Sequence, residues 1–201
     1  AIQADPKNPA PRLALLSIHL QNAAFAKAEE VLNAARHDIG DQVELRLAAA
    51  NLYLLRDGQK AGPEILQLAH RLENFSRRDQ VRLLTGLFRV SQGVGRKLTR
   101  QIGDQLLRIQ PHRADLRFGL LRLALADQDE TTARHLVRDL RNIEGDRGVY
   151  WRCGEVALLM QFGPSDDSAW IAQARTLASE ASRLRPEWGL PVLFLAELDE
   201  R

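Results

Sequence analysis

The sequence predicts an all-α protein of stacked antiparallel helix pairs, an α-solenoid. Ala174, Ala178 and Ala181 are spaced four and three apart, so they share one face of a helix that Pro186 ends. Such small side chains predict the close approach of a second helix. The same spacing recurs along the chain at intervals near 34 residues. Aromatic residues make up only 5% of the 201 residues, and Ala, Leu and Arg are abundant, which favours helices over sheets.

Helix-capping and turn residues delimit the first two helix pairs. Asn8 is placed to cap the first helix, and a second helix is predicted over residues 25–37. Asp41 is the predicted N-cap of the third helix, which runs to about residue 56. Asp57-Gly58 then predicts a turn, and Pro63 suits the first turn of the fourth helix.

The third helix pair opens with a predicted capping box. Ser76 is followed three residues later by Asp79, whose carboxylate can reach back to the first turn. The fifth helix that begins there is the most apolar of the chain, and Gly93 and Gly95 are expected to break it. The sixth helix stops at Pro111.

The fourth and fifth pairs follow the same plan. Residues 127–129 predict the turn of the fourth pair, and Trp151 opens the fifth, whose longer loop over 163–168 offers Ser165 and Ser168 as N-cap candidates. Residues 1–6 resemble the end of a helix, and residues 187–201 resemble the first helix of a pair whose second helix is missing. We therefore expect the chain to be an internal fragment of a longer protein. The single domain is expected to contain repeats 8–40, 41–75, 76–111, 112–145 and 146–186, with partial repeats 1–6 and 187–201.

A helix–turn–helix unit that repeats near 34 residues resembles the tetratricopeptide repeat. In the fifth repeat Trp151, Gly154, Glu155 and Leu158 stand at the positions where the family has bulky, large, small and large residues on the first helix, and together with the second helix they match most of the pattern. The second-helix pattern is matched in the fifth repeat by Ala174, Ala178, Ala181 and Pro186, and elsewhere by Ala28/Leu32/Ala35, Gly62/Leu66/Ala69 and Ala133/Val137/Leu140. Leu replaces the bulky first residue in four repeats, the third repeat is degenerate and the fifth has an insertion, so these are divergent repeats.

The resemblance implies a right-handed superhelix whose concave groove, lined by the first helix of each pair, binds a partner protein or peptide. Arginines beside an apolar stripe would suit a partner segment with acidic and apolar side chains. For each of these residues taken singly, the alternative to partner binding is that an apolar side chain packs against a neighbouring helix or that an arginine is solvated. The candidate groove residues are Arg46, Tyr53, Leu84, Phe88, Arg117, Leu121 and Arg152.

The charge distribution suggests a second function. The net charge is only +2, yet residues 71–122 carry 12 Lys and Arg against four acidic residues. Such a basic region could bind an anionic polymer, a polysaccharide or a nucleic acid, although no repeated polar code for reading RNA is present. A third alternative is a spacer or regulatory arm of a larger enzyme or secretion protein. The predicted basic patch consists of Arg77, Arg78, Arg82, Arg89, Arg96, Lys97 and Arg100.

The sequence argues against catalysis, metal binding and membrane insertion. Cys153 is the only cysteine, so an internal disulfide or a cysteine-rich zinc site is excluded. The five histidines are scattered without a pair at i,i+4, and no glycine-rich phosphate loop follows a strand. No apolar run approaches the length of a membrane helix. We therefore predict no enzyme activity and no cofactor, and a soluble chain of the cytoplasm or periplasm whose oligomeric state is left open.

Overall fold

The computed structural model describes residues 8–164 and 169–200. Over these residues all regular structure is helical, and the predicted all-α class is confirmed. The chain divides into two compact units, residues 1–110 and 111–201. The helix end predicted at 1–6 and the N-cap candidates Ser165 and Ser168 lie outside the described residues. None of the described helices combines the length and apolar character needed to cross a bilayer.

The described residues of the first unit form three helix pairs. Each first helix packs against its own second helix, and α1 and α3 also pack against the next first helix within the unit, α3 and α5 respectively. Second helices also contact the following first helix, as α2 does with α3. This is the stacking that a helical repeat requires. The helices are α1 (Ala10–Gln21), α2 (Phe25–Ile39), α3 (Val43–Asp57), α4 (Gly62–Gln67), α5 (Arg77–Val94) and α6 (Arg96–Ile109).

Two of the predicted caps of the first unit are found. The Ser76 side chain accepts a hydrogen bond from the Asp79 backbone N–H at 3.2 Å, which confirms the cap of α5. Asn8 accepts from the Ala10 N–H at 2.9 Å, although the N-cap position itself is the following proline. The prediction for α3 is wrong, since its N-cap residue is Gln42 and the Asp41 carboxylate binds an arginine side chain instead.

Helix ends in the first unit also differ from those predicted. Helix α4 stops at Gln67, so Ala69 is buried in the turn that follows rather than in the helix. Helix α5 continues through Gly93 and ends at Val94, followed by Gly95, whose φ of 156° a non-glycine residue rarely adopts. Gly93 remains helical and lies beneath the Leu54 side chain of α3.

The described residues of the second unit form two helix pairs and one further helix. Helix α9 is its centre, since it packs against α7, α8, α10 and α11. The turn predicted at residues 127–129 is present, and Asp129 at its end caps α8 by accepting from the Thr132 N–H at 3.0 Å. The helices are α7 (Ala114–Ala126), α8 (Glu130–Glu144), α9 (Tyr150–Phe162), α10 (Ala169–Leu184) and α11 (Leu190–Asp199).

The alanine face of α10 is a helix–helix seam. Ala174, Ala178 and Ala181 are all fully buried, and the first two belong to a cluster with Val156 of α9 and Leu198 of α11. The close approach predicted from the small residues is therefore confirmed. The repeat boundaries, the single domain and the handedness of a superhelix stay predictions.

Candidate functional site

The predicted groove residues are mostly buried. Arg46, Leu84, Leu121 and Arg152 are no more than 9% exposed, so the structure corrects their assignment to an open binding surface. Tyr53, Phe88 and Arg117 are half-buried. Arg117 faces Asp139 of α8, with 3.7 Å between its Nη1 and the carboxylate Oδ2. The three half-buried residues stay a prediction as partner contacts.

Arg46 joins α3 to the chain that follows α4. Its Nη1 donates to the backbone carbonyls of Leu68 and His70, at 2.8 and 2.6 Å. The rest of the guanidinium donates to the Asp41 carboxylate, at 2.6 Å from Nη2. The Arg46 guanidinium also lies 4.8 Å from the centre of the Phe75 ring. All three nitrogens of the guanidinium donate to the protein itself, so Arg46 holds a loop.

Arg152 performs the same task in the second unit. Its Nη1 and Nη2 donate to the carbonyls of Gly148 and Asp146 at 2.6 and 2.8 Å, and its Nε donates to Glu180 at 2.8 Å. Its guanidinium lies 4.4 Å from the Trp151 ring centre. Arg46 and Arg152 both directly follow the bulky residue that opens the repeat motif, so one repeat position anchors a loop in each unit.

The predicted basic patch lies on two helices of the first unit. Arg78, Arg82 and Arg89 fall within about 40° of one another around α5, given 100° per residue. Arg82 is paired with Glu44 of α3. Arg77 donates at 2.6 Å to the Ile109 carbonyl, one of the carbonyls at the end of α6 that have no partner within the helix. Arg96, Lys97 and Arg100 lie together on the first turns of α6. Nucleic-acid or polysaccharide binding by this patch stays a prediction.

A groove lined by first helices exists in the second unit, and aromatic residues form its wall. Phe118 of α7, Tyr150 of α9 and Trp188 before α11 form a triangle with ring centres 5.2 to 5.5 Å apart. Their tilted and edge-on contacts are the geometry that aromatic pairs prefer. We call the cavity of about 530 Å³ beside them the aromatic groove. It is also lined by Arg122, Leu125, Ala157, Arg185, Leu190 and Phe194.

Two arginines give the aromatic groove its charge. Arg185 lies 5.9 and 5.6 Å from the ring centres of Tyr150 and Trp188, and its Nη1 donates to the Tyr150 hydroxyl at 3.3 Å. It also pairs with Glu187 at 3.2 Å. Arg122 is exposed at the rim, and no carboxylate of the described residues lies within ion-pair distance of it. The groove therefore presents apolar surface with cationic donors beside it.

The residues predicted on α7 lie next to those that line the aromatic groove. The predicted residues are Arg117 and Leu121, whereas Phe118 and Arg122 line the cavity. A signal was available, because the chain has only 11 aromatic residues and three of them recur at intervals of 32 and 38 residues.

The described residues show no group of three metal-binding side chains. Cys153 of α9 is fully buried, and burial raises the pKa of its thiol to about 12, with a smaller contribution from the negative charge of Glu144. A protonated, inaccessible thiol is a poor nucleophile. The structure thus uses Cys153 as a small apolar side chain in the centre of the second unit.

We expect Cys153 to be inert in the native protein. An aromatic disulfide reagent at pH 8 should label less than a tenth of the thiol in the time in which it labels all of it in denaturant, because only the unfolded chain exposes a thiol with a pKa near 9.0. The absorbance of the released thiolate measures both rates. The chain in denaturant is the internal control, and native labelling at the denatured rate would contradict the buried position.

Comparisons with known proteins leave the family open. No model of a known protein family matches the sequence, and no curated protein matches it either. Among solved structures, one titled "Functional Characterization of Pseudomonas Aeruginosa pilF" aligns with 94% of this chain and 96% of that chain, at a TM-score of 0.48 and 14% sequence identity. Similarity at this level supports no functional inference, so function has to be argued from the residues of this chain.

Proposed function

We propose that the protein is a non-catalytic scaffold whose aromatic groove binds a segment of a partner protein. The observation that carries the proposal is the triangle of Phe118, Tyr150 and Trp188 beside an open cavity with two arginines. Aromatic and arginine side chains are the residues that most often dominate the free energy of protein association. Phe118 and Tyr150 stand on packed helices, and their ring contacts hold Trp188 in the connection before α11, so little conformational entropy is lost on binding.

The lining specifies the chemistry of the partner segment. Phe194 and Leu125 add apolar surface to the aromatic wall, which suits a large apolar side chain of the partner. Arg122 can donate two parallel hydrogen bonds to a carboxylate at the rim. The segment that fits best therefore has a Leu, Phe or Trp with an Asp or Glu close to it in sequence.

A second candidate function is binding of an anionic polymer to the basic patch of the first unit. The exposed stripe of Arg78 and Arg89 on α5, close in rotation to Arg82, supports it. Phosphate or sulfate contacts would make such binding fall steeply with salt, by a factor that grows with each contact. Binding in the aromatic groove should keep most of its affinity between about 50 and 200 mM salt because apolar burial dominates it.

The groove proposal is tested by selecting peptides from a random displayed library against the full 201-residue chain. Selected peptides should contain an aromatic or leucine anchor and an acidic residue. Trp188→Ala should weaken their binding about 30-fold, as expected for a residue that contributes 2 kcal/mol or more. Arg122→Gln should weaken it about three- to fivefold, the range of an accessible ion pair. Affinities are measured by fluorescence anisotropy.

Arg183→Gln is the matched control, because Arg183 is an exposed arginine of α10 that does not line the groove. It should leave peptide affinity unchanged. Circular dichroism and thermal unfolding of each variant establish that the helices are intact. If the selected peptides bind the Trp188→Ala protein as tightly as the unaltered chain, the groove is not the binding site and the proposal fails.

A further inference from the structure

A second cavity of about 410 Å³ opens on different faces of the second unit. Helices α8 and α10 form its walls, and α9, which packs against both, forms its base. Arg134, Arg138 and Arg141 line it from α8, and Glu155 and Gln173 are the polar residues from α9 and α10. We call it the arginine cavity. None of the described residues that line it also lines the aromatic groove.

The three arginines form a row along one face of α8. Their spacing of four and three residues places them within about 60° of one another and spreads them over about 10.5 Å of the helix axis. Arg134 pairs with Glu130 on its own helix, and the Arg141 guanidinium lies 4.9 Å from the Trp151 ring centre. Arg138 is exposed, and no described carboxylate lies within ion-pair distance of it.

The balance of charge in the cavity favours an anion. Three guanidiniums line it against the carboxylate of Glu155, and Glu130 outside the lining pairs with Arg134. All three arginines are exposed, and cationic donors placed side by side along a recess make an anionic ligand favourable there. We propose that the arginine cavity binds an extended acidic segment of a protein, with carboxylates on alternate residues.

The spacing of the arginines matches an extended chain. Side chains of alternate residues in a strand point the same way and lie about 6.6 Å apart, close to the rise of about 6 Å between Arg134 and Arg138, while Arg138 and Arg141 are separated by about 4.5 Å along the helix axis. The intervening side chains would point to the opposite wall, where Leu177 provides apolar surface.

The aromatic residue of the cavity argues against a nucleic acid. Single-stranded nucleic acids gain much of their affinity from bases that stack on exposed aromatic rings. Trp151 is only 8% exposed, and its ring already lies against the guanidiniums of Arg141 and Arg152. The cavity therefore provides charge without a stacking surface, which is what a carboxylate-bearing peptide requires.

The test uses a fluorescein-labelled peptide with the sequence Gly-Glu-Leu-Glu-Leu-Glu-Gly and the full chain. We expect saturable binding at 50 mM salt. A peptide with Gln in place of each Glu should not bind measurably, and one with the three Glu residues adjacent should bind at least threefold more weakly. Equal binding of the alternating and adjacent peptides would overturn the extended geometry. Equal or tighter binding of an oligothymidylate of the same charge would overturn the choice of a protein ligand.

Variants locate the site. Arg138→Gln should weaken binding about three- to fivefold, and the double change Arg134→Gln with Arg138→Gln at least tenfold. Arg183→Gln on α10 removes the same charge from a residue that does not line the cavity and should have no effect. Unchanged affinity in the double variant would refute the proposal. Trp188→Ala should leave this binding intact, so failure of the aromatic groove and failure of the arginine cavity are separate results.

Discussion

Replacing Arg46 with glutamine is expected to lower the free energy of unfolding of the first unit by about 3 kcal/mol. The shorter glutamine amide cannot reach the carbonyls of Leu68 and His70, so both acceptors lose their donor. The hydrogen bond to the Leu68 carbonyl is the buried one of the two. The half-exposed Asp41 carboxylate also loses its partner, but the cost in free energy is smaller because water takes the place of the guanidinium. Most of the loss therefore comes from the backbone acceptors.

Urea denaturation followed by circular dichroism measures the loss. The matched control is Arg78→Gln, an exposed arginine of α5 for which the structure shows no partner, and we expect a change below about 0.5 kcal/mol. Hydrogen exchange adds a local readout, since the backbone amides of residues 68–75 should exchange faster in the Arg46 variant. Equal stability of the two variants would show that Arg46 does not hold this loop.

The role of Arg46 also explains a helix end that the sequence could not predict. The pattern of small residues extends α4 to Ala69, whereas the helix stops at Gln67. Beyond that point the Leu68 and His70 carbonyls accept from the Arg46 side chain rather than from a following turn of helix. Arg46 precedes these two acceptors by 22 and 24 residues in the sequence. Local propensity carries no information about a donor so distant in sequence.

Periodicity did predict the buried seams. The positions of Ala174, Ala178 and Ala181 depend only on 3.6 residues per turn and on the need to bury a helix face, and both are local properties. The capping box at Ser76 is local too, and it is found as predicted. Such features can be inferred from one sequence because the residues that determine them are neighbours.

The binding surface is harder because it depends on helix rotation. A shift of one residue turns a side chain by about 100°, which is enough to move it from a groove into the core. Leu121 and Arg122 show the consequence, since the first is fully buried and the second stands at the rim of the aromatic groove. Arg46 and Arg152 were assigned to an exposed surface because arginine is rarely buried unless it is paired, and the sequence does not reveal their distant partners.

Replacing Gly154 with valine is expected to lower the free energy of unfolding of the second unit by about 3 kcal/mol. A Cβ at this position would lie 2.7 Å from Leu121 Cδ2 of α7 and 2.9 Å from Val137 Cγ2 of α8. Val137 is β-branched and has few alternative rotamers, so it cannot turn aside as a longer side chain could. Helix α9 would have to move away from both neighbours.

Gly62→Ala is the matched control for a single added methyl group. A Cβ on Gly62 would meet only Val94 Cγ1, at an ordinary 3.7 Å, so this change should be neutral or stabilise by up to about 1 kcal/mol. Gly154→Ala should instead destabilise by about 1–3 kcal/mol, despite the same gain in helix propensity. Urea denaturation of both variants gives the comparison, and the same sign of change in both would contradict the close approach at Gly154.

The Gly154 variants also connect packing with the proposed function. Tyr150 lies one turn before Gly154 on α9, so a displacement of this helix moves one corner of the aromatic triangle relative to Phe118 of α7. We expect Gly154→Val to weaken groove peptides at least tenfold at temperatures where the helices remain folded, since displacements near 1 Å disrupt a packed hot spot. Gly62→Ala should leave that affinity unchanged. Retention of full peptide affinity by folded Gly154→Val would mean that the position of α9 does not determine the groove.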